Sequence, residues 1–278
     1  YGDIRTLPKF AAIHINDTHP ALCIPELMRI LMDDFNISFD EAWKMVKKTV
    51  SYTNHTVMAE ALEKWAEDLI QKLLPRIYII IQQINRRFIE ETKCCGVNDD
   101  EINQLAVLGY NQVRMANMSV IASHTVNGVS ALHSEIIKES IFNGYYKLTP
   151  EKFTNVTNGI AYRRWLCQSN PELTKLLDEK IGPEYKQNAL KLLDLLKFVD
   201  DDEVLNRLEE IKHHNKCEFS KHLYKKAGIA IDPNTRFDVQ VKRLHEYKRQ
   251  LLNVLKIIAL FVQLEENPEM DMTPQTFI

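Results

Sequence analysis

The chain has 278 residues, 45% of them hydrophobic and 26% charged, and a formal net charge of −3. That length supports one large domain or two smaller ones with a substantial core, and the balance is ordinary for a soluble globular protein. A mildly acidic chain gives no electrostatic reason to expect nucleic-acid binding, and 8 glycines argue against a glycine-rich all-β architecture.

In chain order, Tyr1–Phe10 has no apolar run and does not resemble a signal peptide. Phe10–Ile15 reads as a buried strand entering the loop Asn16-Asp17, and Pro20 opens a helix to about Phe35. Ser38 with Glu41 three residues on forms a capping box for a helix to about Thr49. Val50–Tyr52 is strand-like and ends in the polar loop Thr53–Thr56. Helices are expected over Met58–Trp65, from Pro75 to about Thr92, and over Leu105–Asn117, with a turn at Cys95–Asp100. Val120–Ala122 is a candidate strand, followed by a loop over Ser123–Gly128 and a helix over Ser130–Ser140.

Thr154–Thr157 is extended and stops at Asn158-Gly159. The stretch Arg163–Lys226 is charged and mostly helical, so a domain boundary is expected near Asn158, giving segments 1–158 and 159–278. Phe237–Val241 alternates like a strand and meets Lys242-Arg243. A long helix is expected from near His245 to about Glu266, and Gln275–Ile278 reads as the start of a strand. The longest apolar run, Leu251–Leu264, is broken by Asn253, Lys256 and Gln263. It is too short and polar to span a membrane and reads as a buried helix. The five cysteines are irregularly spaced, without a zinc-like CxxC pair, which favours free thiols in a reducing compartment.

The repeated strand, loop, helix pattern is α/β with ligand loops after strand C-termini. Polar residues cluster in those loops: Asn16-Asp17-Thr18-His19, Thr53-Asn54-His55-Thr56, Ser123-His124, Asn127-Gly128 and Asn158-Gly159. Such side chains suit a polyhydroxylated ligand, although turn chemistry alone also places Asn and Asp in loops. The sharper cluster is Lys242-Arg243-Leu244-His245-Glu246-Tyr247-Lys248-Arg249, with four cations in eight residues. A solvated basic helix end is one reading. An anion site is the other, because cations at a helix N-terminus oppose the macrodipole and a bound anion would offset that cost. No second carboxylate partners Asp17 as a glycosidase would need, and GxSxG, P-loop and GxGxxG motifs are absent.

Five segments resemble signatures of the glycogen and starch phosphorylases, the α-1,4-glucan phosphorylase family. They are Asn16–Leu31, Ser51–Val57, Met115–Ser134, Thr157–Leu166 and Val241–Asn253, in the family's order and across essentially the whole chain. The resemblance implies an internal fragment of a helix-rich, two-lobed, Rossmann-like glycosyltransferase architecture. Segment 1–158 would be the later part of the N-terminal lobe, with sugar-binding loops. Segment 159–278 would open the C-terminal lobe: a helical region, then a phosphate- and cofactor-binding strand-loop-helix. The implied reaction is reversible phosphorolysis of α-1,4-glucan by inorganic phosphate to glucose 1-phosphate, with pyridoxal 5′-phosphate as cofactor. The parent protein would be a cytoplasmic homodimer without membrane or nucleic-acid partners.

By matched position, His55 and Asn158 would bind the glucosyl unit, His55 also through its backbone carbonyl. Asp17 and His19 would line the same pocket, and Tyr247 would contact a sugar hydroxyl. Arg243 would bind the substrate phosphate, Lys242 would sit near both phosphates, Lys248 would hold the cofactor phosphate, and His245 would shape the loop. Trp165 would pack near the cofactor, and no metal is implied. Ala161-Tyr162 stands where the family usually has Thr-Pro, and Met58-Ala59 replaces a common Leu-Pro. The cofactor lysine and the glycine-rich phosphate loops are not in this chain. The lysine would lie beyond Ile278 and the regulatory segments before Tyr1, so the isolated chain is expected to be inactive. The alternatives are a non-catalytic glucan-binding module and a structural role for the charged helices.

Overall fold

The computed structural model describes residues 2–278, apart from the side chain of Ala59; Tyr1 lies outside them. The strands, in chain order, are β1 (Ile13–Asn16), β2 (Val50–Thr53), β3 (Lys64–Ala66), β4 (Leu108–Gly109), β5 (Gln112–Arg114), β6 (Val126–Gly128), β7 (Phe153–Asn155), β8 (Arg236–Asp238) and β9 (Gln275–Phe277). The chain divides into two compact units, one running to Gly159 and the other covering Ile160–Ile278.

The first unit is built on a wholly parallel sheet of order β1-β2-β6-β7. Because side chains alternate across a strand, the register sorts its residues into two faces. Ile15, Val50, Tyr52, Val126 and Phe153 share one face and are buried in the core. His14, Asn16, Ser51, Thr53, Asn127 and Thr154 share the other. Parallel sheets are ordinarily apolar on both faces, so the polar face is the unusual feature of the fold.

The crossovers are helical, as parallel pairing requires. The helix Phe39–Thr49 starts where the capping box expects, with Ser38 Oγ accepting from the Glu41 amide at 3.4 Å. It packs Trp43 and Val46 into the core, which Ile77, Ile80, Ile81 and Ile84 of the helix Pro75–Cys94 also enter.

Several expectations are corrected. Leu105–Asn117 is not one helix: β4 and β5 form a hairpin whose two loop residues, Tyr110 and Asn111, sit at φ 55° and 58°. Two positive φ values mark the primed turn that matches strand twist. In place of a helix over Met58–Trp65 there is a short 3-10 turn, Ala59–Ala61, and then β3, paired antiparallel with β5. Pairing with a distant strand overrides the local preference. Val120–Ala122 is the last turn of a buried helix, Met115–Ala122, because a short apolar run has no periodicity to separate strand from helix. Val126–Gly128, expected as loop, is the inner strand β6; Asn and Gly are poor strand formers held here by pairing on both sides.

In the second unit, the helices Pro171–Ile181 and Asp202–Ala227 begin at side-chain caps, Asn170 and Asp201. They are joined by Arg207 and Glu179 at 2.8 Å. Tyr162, where the resemblance expects proline, places its hydroxyl 2.9 Å from the carbonyls of Tyr185 and Lys186. β8 and β9 form a two-stranded parallel sheet. The last long helix is Gln250–Glu266, not one from His245. Its apolar residues are not buried as expected: Leu251 is 72% exposed and Phe261 59%, since nothing among the described residues packs over them. No helix among the described residues is long and apolar enough to cross a membrane.

Candidate functional site

The polar sheet face and the loops at its C-terminal edge are one structure. All four strands end there: β1 in Asn16, β2 in Thr53, β6 in Gly128 and β7 in Asn155. Pairing continues past the strands and holds the loops side by side. The Asp17 amide donates to the Thr53 carbonyl at 3.0 Å, and the Asn54 amide to the Asn127 carbonyl at 3.0 Å. The Val156 amide reaches the Gly128 carbonyl at 3.2 Å, and the Asn158 amide the Val129 carbonyl at 3.0 Å.

Side chains lock the arrangement. Thr53 Oγ1 donates to Asn127 Oδ1 at 2.7 Å, so its single proton is spent. His14 Nε2, 2.6 Å away, must then be the donor to Thr53 Oγ1. In the neutral ring, His14 Nδ1 is left to accept from Ser51 Oγ at 2.9 Å. His55 donates from Nε2 to Asn16 Oδ1 at 2.6 Å, which fixes an exposed imidazole between β1 and β2. Asp17 adopts φ 66°, a left-handed conformation that aspartate tolerates. Its Oδ1 accepts from the Thr18 amide at 2.7 Å, and its Oδ2 lies 3.7 Å from His19 Nε2.

Two residues that the sequence reading passed over complete this edge. His133 accepts the Val129 amide at Nδ1 (3.0 Å) and so carries its proton on Nε2, 3.2 Å from the Thr56 carbonyl. Glu63 accepts from Thr18 Oγ1 at 3.0 Å and from Trp65 Nε1 at 2.9 Å. Ser130, three residues before His133 and its helix cap, was the available signal for the first; Glu63 had none. Gly128 is required by close approach: a Cβ there would meet the Ser134 backbone at 2.9 Å.

The structure therefore brings Asp17, His19, His55 and the Asn158 backbone to one edge of the first unit. His19 also faces a separate cavity of about 260 Å³ with Glu63 and Trp65.

In the second unit, Lys242 and Arg243 lie in an irregular segment after β8, and Glu246–Lys248 is a 3-10 turn. The expected helix N-terminus beneath these cations is displaced to Gln250. Arg249, at φ 56°, occupies the cap position instead. Two glutamines shape the loop. Gln250 Nε2 donates to the carbonyls of Lys242 and Arg243 at 3.1 and 3.2 Å, while its Oε1 accepts the His245 amide at 3.0 Å. Gln240 Nε2 donates to the Lys248 carbonyl at 3.0 Å. The rings of His245 and Tyr247 meet at a 47° tilt with centroids 4.0 Å apart, and Lys248 Nζ donates to the Arg243 carbonyl at 3.0 Å.

No carboxylate among the described residues lies within 4.0 Å of Lys242, Arg243, Lys248 or Arg249. Cations presented without acid partners have the donor chemistry of a phosphate site, so these residues fit the phosphate of a phosphorylated cofactor. Trp165 is largely exposed, and its backbone bonds are to Ala161 and Ser169. Among the described residues, no group of three or more His, Cys, Asp or Glu could hold a metal ion.

The first unit thus offers a parallel sheet with polar loops at its strand ends, and the second a cationic loop. The family model for "Carbohydrate phosphorylase" matches residues 1–278, and the chain belongs to that family. It is 46% identical over 276 residues to the brain form of glycogen phosphorylase from Rattus norvegicus, covering 98% of this chain and 33% of the relative. To the muscle form from Bos taurus it is 44% identical over 273 residues, covering 97% and 32%. To the human brain form it is 45% identical, again over 98% and 33%. The chain thus spans about a third of the length of these relatives.

Proposed function

We infer that this chain supplies sugar-binding loops and part of the phosphate site of an α-1,4-glucan phosphorylase, a cytoplasmic, dimeric enzyme. That enzyme would carry out the reversible phosphorolysis of glycogen-type glucan to glucose 1-phosphate. The observation that carries this reading is the joining of the Asn16–His19, Thr53–Thr56, Asn127–Val129 and Val156–Asn158 segments along one strand-end edge.

In this reading His55 and Asn158 hold the glucosyl unit, and Asp17 and His19 position it. The bond from His55 to Asn16 keeps the imidazole in a single orientation. It also leaves the His55 carbonyl available to a sugar ring that develops positive charge. In the second unit Arg243 grips the substrate phosphate in a two-pronged manner, Lys242 serves both phosphates and Lys248 holds that of the cofactor. Tyr247 contacts a sugar hydroxyl, and Trp165 packs near the cofactor. Several fixed cations are what two adjacent phosphates require. Pyridoxal 5′-phosphate, when bound, would supply a phosphate group able to exchange a proton with the substrate phosphate. The resemblance matches no residue of this chain to the lysine that holds its aldehyde.

The isolated chain should therefore bind glucan without turning it over. The test is a maltoheptaose titration of the chain and of its Asn158→Ala variant, with an assay for glucose 1-phosphate in the presence of cofactor and phosphate. Saturable binding weakened by Asn158→Ala, without product, is expected. Release of product would overturn the inactivity, and binding indifferent to Asn158 would overturn the sugar-site assignment.

A further inference from the structure

The first unit contains a cavity of about 270 Å³ between the helices Phe39–Thr49 and Pro75–Cys94 and the segment Tyr145–Lys152. Trp43, Phe88, Val120 and Leu148 give it apolar walls. Most of its polar groups are committed elsewhere. The Tyr145 hydroxyl donates to the Leu105 carbonyl, Thr92 to the Phe88 carbonyl at 2.7 Å, and Thr149 to the Tyr145 carbonyl at 3.2 Å. Glu91 is engaged by Arg87 at 2.9 Å.

Two cations remain without an acid partner within 4.0 Å among the described residues. Lys47 holds its ammonium 5.5 Å from the centroid of the Trp43 ring. Lys152 reaches only the carbonyls of Val120 and Ile121, at 3.4 and 3.3 Å, in the last turn of a buried helix. A half-buried ammonium supported by two long bonds to neutral carbonyls is an under-compensated charge. Burial, reinforced by the Lys47 cation, pushes the Lys152 amine down to about 8 despite Glu151 and Glu91. An anion in the cavity would relieve this deficit.

We propose that this cavity binds a small monocarboxylate with an apolar body, its carboxylate taken by Lys152 and Lys47 and its body lying against Trp43, Phe88 and Leu148. The volume corresponds to about nine water volumes at about 30 Å³ each, enough for a phenyl ring on a short chain. A phosphate dianion is disfavoured, because its oxygens call for more donors than the two ammonium groups provide.

The probe is 3-phenylpropionate, titrated into the full chain by calorimetry beside its neutral analogue 3-phenylpropanamide. The acid should bind at least about ten-fold more tightly, the size of one charge-assisted hydrogen bond. Lys152→Met should abolish the preference, Lys152→Arg should keep it, and Lys47→Met should weaken it. The preference should also fade between about pH 7 and about pH 10 as Lys152 loses its proton. The other ionisable groups facing it are Lys47, Glu91, Glu151, Cys95 and Tyr145, and burial holds Tyr145 protonated well above its usual range. Equal binding of acid and amide, a preference surviving Lys152→Met, or no saturable binding at about 10 mM would each overturn the proposal. If circular dichroism shows Lys152→Met to be unfolded, the pH series on the native chain decides, and a flat preference overturns it.

Discussion

His133 donates from Nε2 to the carbonyl of Thr56 across 3.2 Å, while its Nδ1 receives the Val129 amide. One imidazole thus ties the loop that carries His55 to Val129, whose carbonyl in turn accepts the Asn158 amide. The neutral ring meets both bonds with one tautomer, and a protonated ring could not accept from Val129.

His133→Ala should therefore lower stability by about 1–3 kcal/mol, the cost of leaving buried polar groups unmet. Glucan affinity should fall with it, because the Thr53–Thr56 loop loses its anchor. Urea unfolding and a maltoheptaose titration measure the two effects. An unchanged midpoint would remove His133 from the architecture of the site.

The cationic loop gives a second expectation. Gln250→Ala deletes the amide that restrains the carbonyls of Lys242 and Arg243 without removing any charge. Binding of inorganic phosphate should weaken several-fold, while its dependence on salt, which reports the number of cations, stays the same. A parallel Arg243→Ala variant should change both. Identical behaviour of the two variants in salt would show that the glutamine does more than position the loop.

Tyr110 and Asn111 provide a stability test independent of function. Tyr110 is 82% exposed, so it contributes little packing, yet it holds a left-handed conformation disfavoured for a bulky side chain. Tyr110→Asn should stabilise the hairpin by about 0.5–1 kcal/mol, as asparagine suits the first loop position of a primed turn. A lower unfolding midpoint would indicate that the tyrosine ring makes a contribution beyond the turn.

Lys152 makes folding more favourable as the solution becomes more alkaline. Its folded value is lowered to about 8 from an unfolded value of 10.5, so between these limits the unfolded chain binds more protons than the folded one. Stability contributed by this group therefore rises with pH across that window. Lys152→Met should remove that rise, seen as a stability difference between variant and native chain that shifts in favour of the native chain from pH 8 to pH 10.5. A difference independent of pH would place the amine in contact with water.

The sequence made the strand ends legible because Asn, Asp and His followed short apolar runs, and the structure places Asp17, His19, His55 and the Asn158 backbone along that edge. The Phe39–Thr49 helix was legible through Ser38, a local signal. The β4–β5 hairpin was not, since a Tyr-Asn loop lacks the usual glycine, and β3 depends on a partner far along the chain. β6 was hidden by its length: three residues ending in Asn-Gly resemble a turn until neighbours pair on both sides. The cationic loop was legible as charge, but its shape depends on Gln240 and Gln250, whose roles no local pattern announces.

The two-faced sheet also limits how the site can be redesigned. In a strand, a shift of one residue exchanges the faces, so a slipped β2 would turn Tyr52 outward and drive Thr53 into the hydrocarbon interior. Thr53 and Asn127, bonded to each other at 2.7 Å and both buried, thus act as a checksum on strand alignment. Randomising them to alter ligand preference would sacrifice folding fidelity before it changed selectivity. Thr154, exposed on the same face, is the position where variation should be tolerated, whereas Asn16 is held to its role by the bond from His55.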